Sequence, residues 1–247
     1  MNSELALVAV AAIFALAGLV KGVIGMGLPT VAIGLLGLMM TPAQAAALLI
    51  VPSLISNIWQ AVVGGHFREL LGRLWPLFVG IALGTAIGAV YLSHSGGGGA
   101  TMWLGVALVV YALLGLLKID FKAPARHEGW IGLVCGVATG AIAVATGVFA
   151  LPMVPFLQGL HMDRHKMVQA LGLAFTTSTV ALAIALQHAG EFHADILWPS
   201  LVGLVAVLAG MRLGQLLRGR IKAETFRLCF FIGLLMLGAH LALRSVL

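Results

Sequence analysis

Residues 18–29 read GLVKGVIGMGLP, and residues 136–152 read GVATGAIAVATGVFALP. Each stretch closes a long apolar run with glycine and then proline: Gly25-Met-Gly27-Leu-Pro29 in the first, Gly147-Val-Phe-Ala-Leu-Pro152 in the second. Glycine permits a left-handed or otherwise irregular backbone, and proline suits the first turn of a new helix. Both stretches therefore predict a helix that breaks and restarts. The restarted arms, roughly 28–40 and 149–160, are too short to cross a bilayer, which takes about 20 apolar residues. They read as half-helices or re-entrant arms.

The rest of the chain makes lipid the solvent. Of 247 residues, 61% are hydrophobic and 9% charged, against about 25% charged in a soluble domain. Ten apolar segments follow one another, at roughly 5–24, 28–40, 44–64, 74–93, 101–117, 129–147, 149–160, 166–187, 196–212 and 225–245. The expected fold is an all-α polytopic membrane protein, residues 1–247 forming a single transmembrane domain.

The basic residues fall in short clusters between the apolar runs: Arg68 and Arg73; Lys118, Lys122 and Arg126; Arg164 and Lys166; Arg212, Arg218, Arg220, Lys222 and Arg227. This is the pattern of cytoplasmic loops, and it accounts for the net charge of +6 without a nucleic-acid surface. The connections 93–100 and 188–195 lack Lys and Arg and fit the outer side. The two assignments close only if the first two segments run out–in–out and segments six and seven in–out–in. Both termini then lie outside, in a multi-pass membrane protein. The N-terminus lacks a basic region before its apolar run and reads as the first membrane segment. Cys135 and Cys229 lie inside apolar segments and read as packing residues.

The halves resemble each other. Trp75-Pro76-Leu-Phe-Val79-Gly80 recurs as Trp198-Pro199-Ser-Leu-Val202-Gly203. Gly65-His-Phe67 is echoed by Gly190-Glu-Phe192, and Gly18-Leu-Val-Lys21-Gly22 by Gly136-Val-Ala-Thr139-Gly140. Three matches in one order divide the chain into repeats at 1–120 and 126–247. Each repeat has one broken helix pair plus three transmembrane helices, so the repeats are expected to be inverted. Inverted repeats with paired breaks are a transporter signature, and the breaks point to the substrate.

The run GLVKGVIGMGLPTVAIGLLG (18–37), then TPAQAAALLIVPSLISNIWQ (41–60), and the closing GMRLGQLLRGRIKAETFRLCFFIGLLMLG (210–238) resemble the sulfite exporter TauE/SafE family. The likeness extends over nearly the whole chain. It implies movement of sulfite, of sulfonates such as taurine or sulfoacetate, or of related oxyanions across the inner membrane. The second break is poorer in glycine than the first.

The residues themselves point to an anion. A half-helix beginning near Pro29 leaves its first N–H groups free and carries about half a positive charge at that end. An arm near Pro152 would do the same, so Gly25, Gly27 and Pro29, with Thr146 and Gly147, are candidate substrate-binding positions. The rival reading is that Gly and Pro serve helix packing. Lys21 is the one Lys or Arg well inside an apolar stretch. It reads either as a functional charge or as a side chain snorkelling to the interface. Its repeat counterpart is Thr139. Ser53, Ser56, Asn57 and Gln60 share one helix face, as do Gln169, Thr176 and Thr179. These stripes read either as ligand contacts or as interhelical hydrogen bonds. Asn57 stands out because its amide has two donors.

His161 and His165, and the group His188, Glu191, His193 and Asp195, match no compact metal motif, so neither metal nor cofactor is expected. All eight acidic residues lie at termini or in connections, leaving no obvious proton relay. Nucleophile elbow, P-loop and kinase motifs are absent, which argues against an enzyme and against direct use of ATP. The expected partners are a small anionic substrate and the lipid bilayer, with homo-oligomerisation open. A secondary transporter or facilitator is the leading reading. A membrane-embedded interaction subunit and a passive anion channel are the alternatives.

Overall fold

The computed structural model describes residues 3–94, 99–117, 124–192, 196–220 and 222–244. These form ten α-helices and no strand: α1 Ser3–Ile24, α2 Leu28–Leu36, α3 Pro42–Val62, α4 Phe67–His94, α5 Ala100–Leu116, α6 Glu128–Thr146, α7 Met153–Gln158, α8 Arg164–His188, α9 Leu197–Leu217 and α10 Ala223–Arg244. Seven of them, α1, α3, α4, α6, α8, α9 and α10, are long and apolar enough to cross a membrane. The chain is thus an all-α polytopic membrane protein. Lys118, Lys122, His193 and Asp195 lie outside the described residues.

The helix ends follow local chemistry. Thr41 caps α3 in a reciprocal box with Gln44. Asp163 caps α8, accepting from the backbone N–H of His165 and of Lys166 at 3.0 Å each. The Lys166 bond, ahead of the His165 bond, holds the Asp163 carboxyl below its usual range. The cap is therefore complete above the ordinary carboxylate range and is lost as pH falls through the lowered value.

Both predicted breaks exist, but they differ. Gly25 and Gly147 follow α1 and α6 at φ 82° and 73°, and each donates its N–H to the carbonyl four residues back, Lys21 and Ala143. After Gly25 the chain restarts within three residues as α2, whose cap Gly27 is also left-handed (φ 98°) and makes no side-chain cap bond. After Gly147 it runs irregularly to a cis Leu151–Pro152 bond and yields only the six-residue α7. The arm expected over 149–160 shrinks because a residue before proline resists helical geometry. Less than two turns of helix build no comparable dipole, so the anion-binding role expected at Pro152 has no helix of useful length behind it.

The helices pack in four main pairs: α1 with α9, α4 with α6, α3 with α8, and α5 with α10. Exchanging α1–α5 for α6–α10 turns each pair into another of the set or into itself. The α1–α9 and α4–α6 seams bring backbones into contact through glycine. A methyl at Gly18 would sit 2.3 Å from the Val207 carbonyl oxygen, and one at Gly136 would sit 2.3 Å from that of Leu77. Such close seams are how helices associate where lipid removes the hydrophobic drive. Pro52 inside α3 cannot donate to the Leu48 carbonyl. Ser200 of α9 donates to that oxygen instead, at 3.2 Å.

At one end of the bundle, Lys166 at the start of α8 meets Glu69 of α4 at 2.7 Å, and Arg73 of α4 meets Glu128 of α6 at 2.6 Å. The N-termini of α4, α6 and α8 therefore share that end. The connections around 66–73 and 161–166, grouped on one side by their charge, are both there.

Candidate functional site

Lys21 lies on the last turn of α1, just before the first break, and is 3% exposed. Its ammonium does not snorkel. It turns onto α3, donating to Ser56 Oγ at 3.0 Å and to Asn57 Oδ1. Among the described residues no carboxylate stands within ion-pair distance of it.

The stripe on α3 continues the network in one direction. Ser56 donates to the Ser53 carbonyl at 3.1 Å. Asn57 Nδ2 donates to Ser53 Oγ at 3.0 Å, Ser53 pairs with Thr179 Oγ1 on α8 at 3.2 Å, and Thr179 donates to the Phe175 carbonyl at 2.7 Å. With Thr179 spent on its own helix and Asn57 donating to Ser53, the Ser53 hydroxyl must donate to Thr179. All five side chains are buried. They form one connected set across α1, α3 and α8. Replacing Thr179 with Val, equal in size, leaves the buried Ser53 hydroxyl without its acceptor. The thermal midpoint should fall by the equivalent of about 1 kcal/mol, read by thermal unfolding against wild type.

Gln60, one turn further along α3, holds the first break in place. Its Nε2 donates to the Gly25 carbonyl at 3.0 Å and to the Val168 carbonyl at 2.8 Å, while its buried Oε1 has no partner among the described residues. Gly27 and Pro29 form the start of α2.

The other candidates stand elsewhere. Gln169 spans from Ala61 O (2.7 Å) to the His66 N–H (3.0 Å) and ties α8 to the α3–α4 turn. Thr176 and Thr139 donate to carbonyls of their own helices, Gly172 and Cys135. Thr146 bonds the Ile142 carbonyl and accepts from Val148 N–H, closing the end of α6, and the neighbouring Gly147 packs on Ile33 of α2.

No polar pattern in the residues pointed to a cavity of about 1070 Å³ among the C-terminal halves of α4, α6 and α8 and the first residues of α3 and α5. Alanine is the commonest residue in its wall. Leu182, one of its lining residues, is one helical turn, about 5 Å, beyond Thr179. Thr85 also borders it and is 3% exposed, its hydroxyl unbonded. Alanine carries no signal in a reading based on polarity, and a lone Thr in a small-residue run carries little.

Two broken helices, and a buried lysine with no carboxylate in ion-pair distance among the described residues, lie inside a polytopic membrane bundle. The model of the sulfite exporter TauE/SafE family matches residues 10–241, and the chain belongs to that family of membrane transporters for sulfite- and sulfonate-type anions. Searches of curated proteins and of solved structures returned no match.

Proposed function

We propose that the chain is a secondary transporter moving sulfite or a small organosulfonate across a bacterial inner membrane, with both termini outside and its halves, 1–120 and 126–247, related by inversion. The observation that carries the proposal is Lys21, a lysine buried against Ser56 and Asn57 with no acidic partner among the described residues. An isolated charge in an apolar bundle is costly and is retained where something of opposite sign visits it. Ser53, Ser56, Asn57 and Thr179 hold the ammonium in place. The uncapped N-terminus of α2 adds partial positive charge beyond the break. Gln60 and Gln169 brace the surrounding backbone, and the pairing of α1 with α9 and of α4 with α6 supports the inverted arrangement.

The test is a thermal-shift series on purified protein with sulfite, alkanesulfonates, carboxylates and sulfate, followed by flux into liposomes. A ligand that binds only the folded state raises its thermal midpoint. Sulfite or a sulfonate should do so, and flux should saturate and show counter-transport. A panel with no ligand and no flux would defeat the proposal.

A further inference from the structure

The three helices α4, α6 and α8 run in the same direction, and the gaps between them are unequal. α4 and α6 are fused along their length: a methyl at Gly84 would sit 2.0 Å from the Val137 carbonyl oxygen, and one at Gly140 would sit 2.3 Å from that of Ile81. The bidentate Arg73–Glu128 pair, at 2.6 and 2.9 Å, staples their first turns. They behave as one body. α8 meets that body differently at its two ends. Its first turn is tied to α4 by Lys166 Nζ and Glu69 Oε1 at 2.7 Å. Its last turns, from Leu182 to Ala189, stand away from α4 and α6 across the cavity of about 1070 Å³.

We infer that this cavity is the aqueous access route to Lys21 from one side of the membrane, and that the Lys166–Glu69 pair is the latch that keeps the opposite side shut. The wall chemistry suits closure. Ala82, Ala86 and Ala89 on α4 face Ala181 and Ala185 on α8, and small residues let helices come together without rearranging rotamers. The latch chemistry suits repeated opening. Both partners are partly exposed, at 27% and 50%, and such pairs are weak enough in water to break and re-form. Rocking α8 about its middle, where Thr179 meets Ser53, would close the alanine wall and part Lys166 from Glu69. The polar cluster would stay at the pivot. The role of the anion in this motion rests on the transport reading. The pivot and the latch rest on the helices alone.

The experiment uses full-length protein in detergent, so that both ends are accessible, with Cys135 and Cys229 replaced by serine or alanine. One probe is Ala185→Cys on the cavity wall. The other is Ala170→Cys, fully buried one turn inward of Lys166 on the same face of α8. A charged, water-borne methanethiosulfonate should label the Ala185 site at least tenfold faster than the Ala170 site. Glu69→Gln or Lys166→Met should raise labelling at Ala170 about threefold and lower it at Ala185. The charge exchange Glu69→Lys with Lys166→Glu should restore the original rates. An Ala185 site unreactive to the reagent would overturn the access route. Unchanged Ala170 labelling in both latch variants would overturn the latch. Neither readout needs an anion, so absent anion binding beside a working latch counts against the transport reading alone. A silent latch beside intact binding counts against this inference alone.

Discussion

Lys21→Met is expected to abolish measurable anion binding while raising the thermal midpoint of the ligand-free protein. The opposite signs are the point of the test. Methionine keeps most of the length and the apolar stem but removes the charge. In the empty protein that charge rests on two neutral acceptors, Ser56 and Asn57, with no carboxylate in reach among the described residues. A buried charge without an ion partner bears the desolvation cost with no Coulombic gain, and even a complete buried ion pair replaced by well-packed apolar residues is often neutral or stabilising, by about 1–4 kcal/mol. With an anion bound, the same substitution strands the anion instead, and breaking a buried pair costs about 3–5 kcal/mol, a loss of roughly two to four orders of magnitude in affinity. Lys21→Arg keeps the charge and should retain part of the binding. Titration of sulfite against both variants, followed by thermal unfolding, checks both arms. A methionine variant that binds within a few-fold of wild type would remove Lys21 from the site.

The second large effect falls on the α4–α6 seam. Gly84→Val should leave little folded, monodisperse protein. The first methyl added at Gly84 already lies 2.0 Å from the Val137 carbonyl oxygen and 2.7 Å from its Cα. These are backbone atoms and cannot rotate away, so the helices must separate. Overpacking of this kind costs about 3 kcal/mol or more, against a total stability of only about 5–15 kcal/mol. Gly72→Val on the same helix is the control. Nothing lies within 4 Å of the methyl it would add, so it carries the same loss of helix propensity without the clash. Size-exclusion profiles of the two variants should differ sharply, and matching profiles would mean that the seam does not hold the bundle together.

Much of this architecture was legible in the residues because lipid imposes long apolar runs. The ends of α1, α3 and α5 fall within about two residues of the expectation. α2 stops four residues short of its expected end, α9 runs on to Leu217, five residues past its own, and α4 departs furthest. It begins at Phe67, well before the apolar run, because its polar first stretch bonds to neighbouring helices through Glu69 and Arg73 instead of facing lipid. The arm after Gly147 was overestimated because apolar composition says nothing about helix length where two prolines, Pro152 and Pro155, stand close together. In the polar cluster, the periodic stripe on α3 and the lone Lys21 were visible as patterns. Their partners were not. Gln169 and Thr179 share a stripe on α8, yet one braces a turn and the other completes the chain from Lys21. Packing register decides which, and register is a property of the assembled bundle.

The one-way hydrogen-bond chain from Lys21 through Asn57, Ser53 and Thr179 to the Phe175 carbonyl bears on selectivity. It consumes most of its own donors. Among the described residues it leaves one ammonium N–H on Lys21 and one amide N–H on Asn57 without a protein acceptor. Strong discrimination between similar ligands requires several fixed donors that a wrong ligand would leave unpaired. On the proposed reading, a site with one charge and two spare donors would read the sign and size of an oxyanion and little of its remaining shape. Such a carrier would clear a group of related sulfur oxyanions without being tuned to any single member.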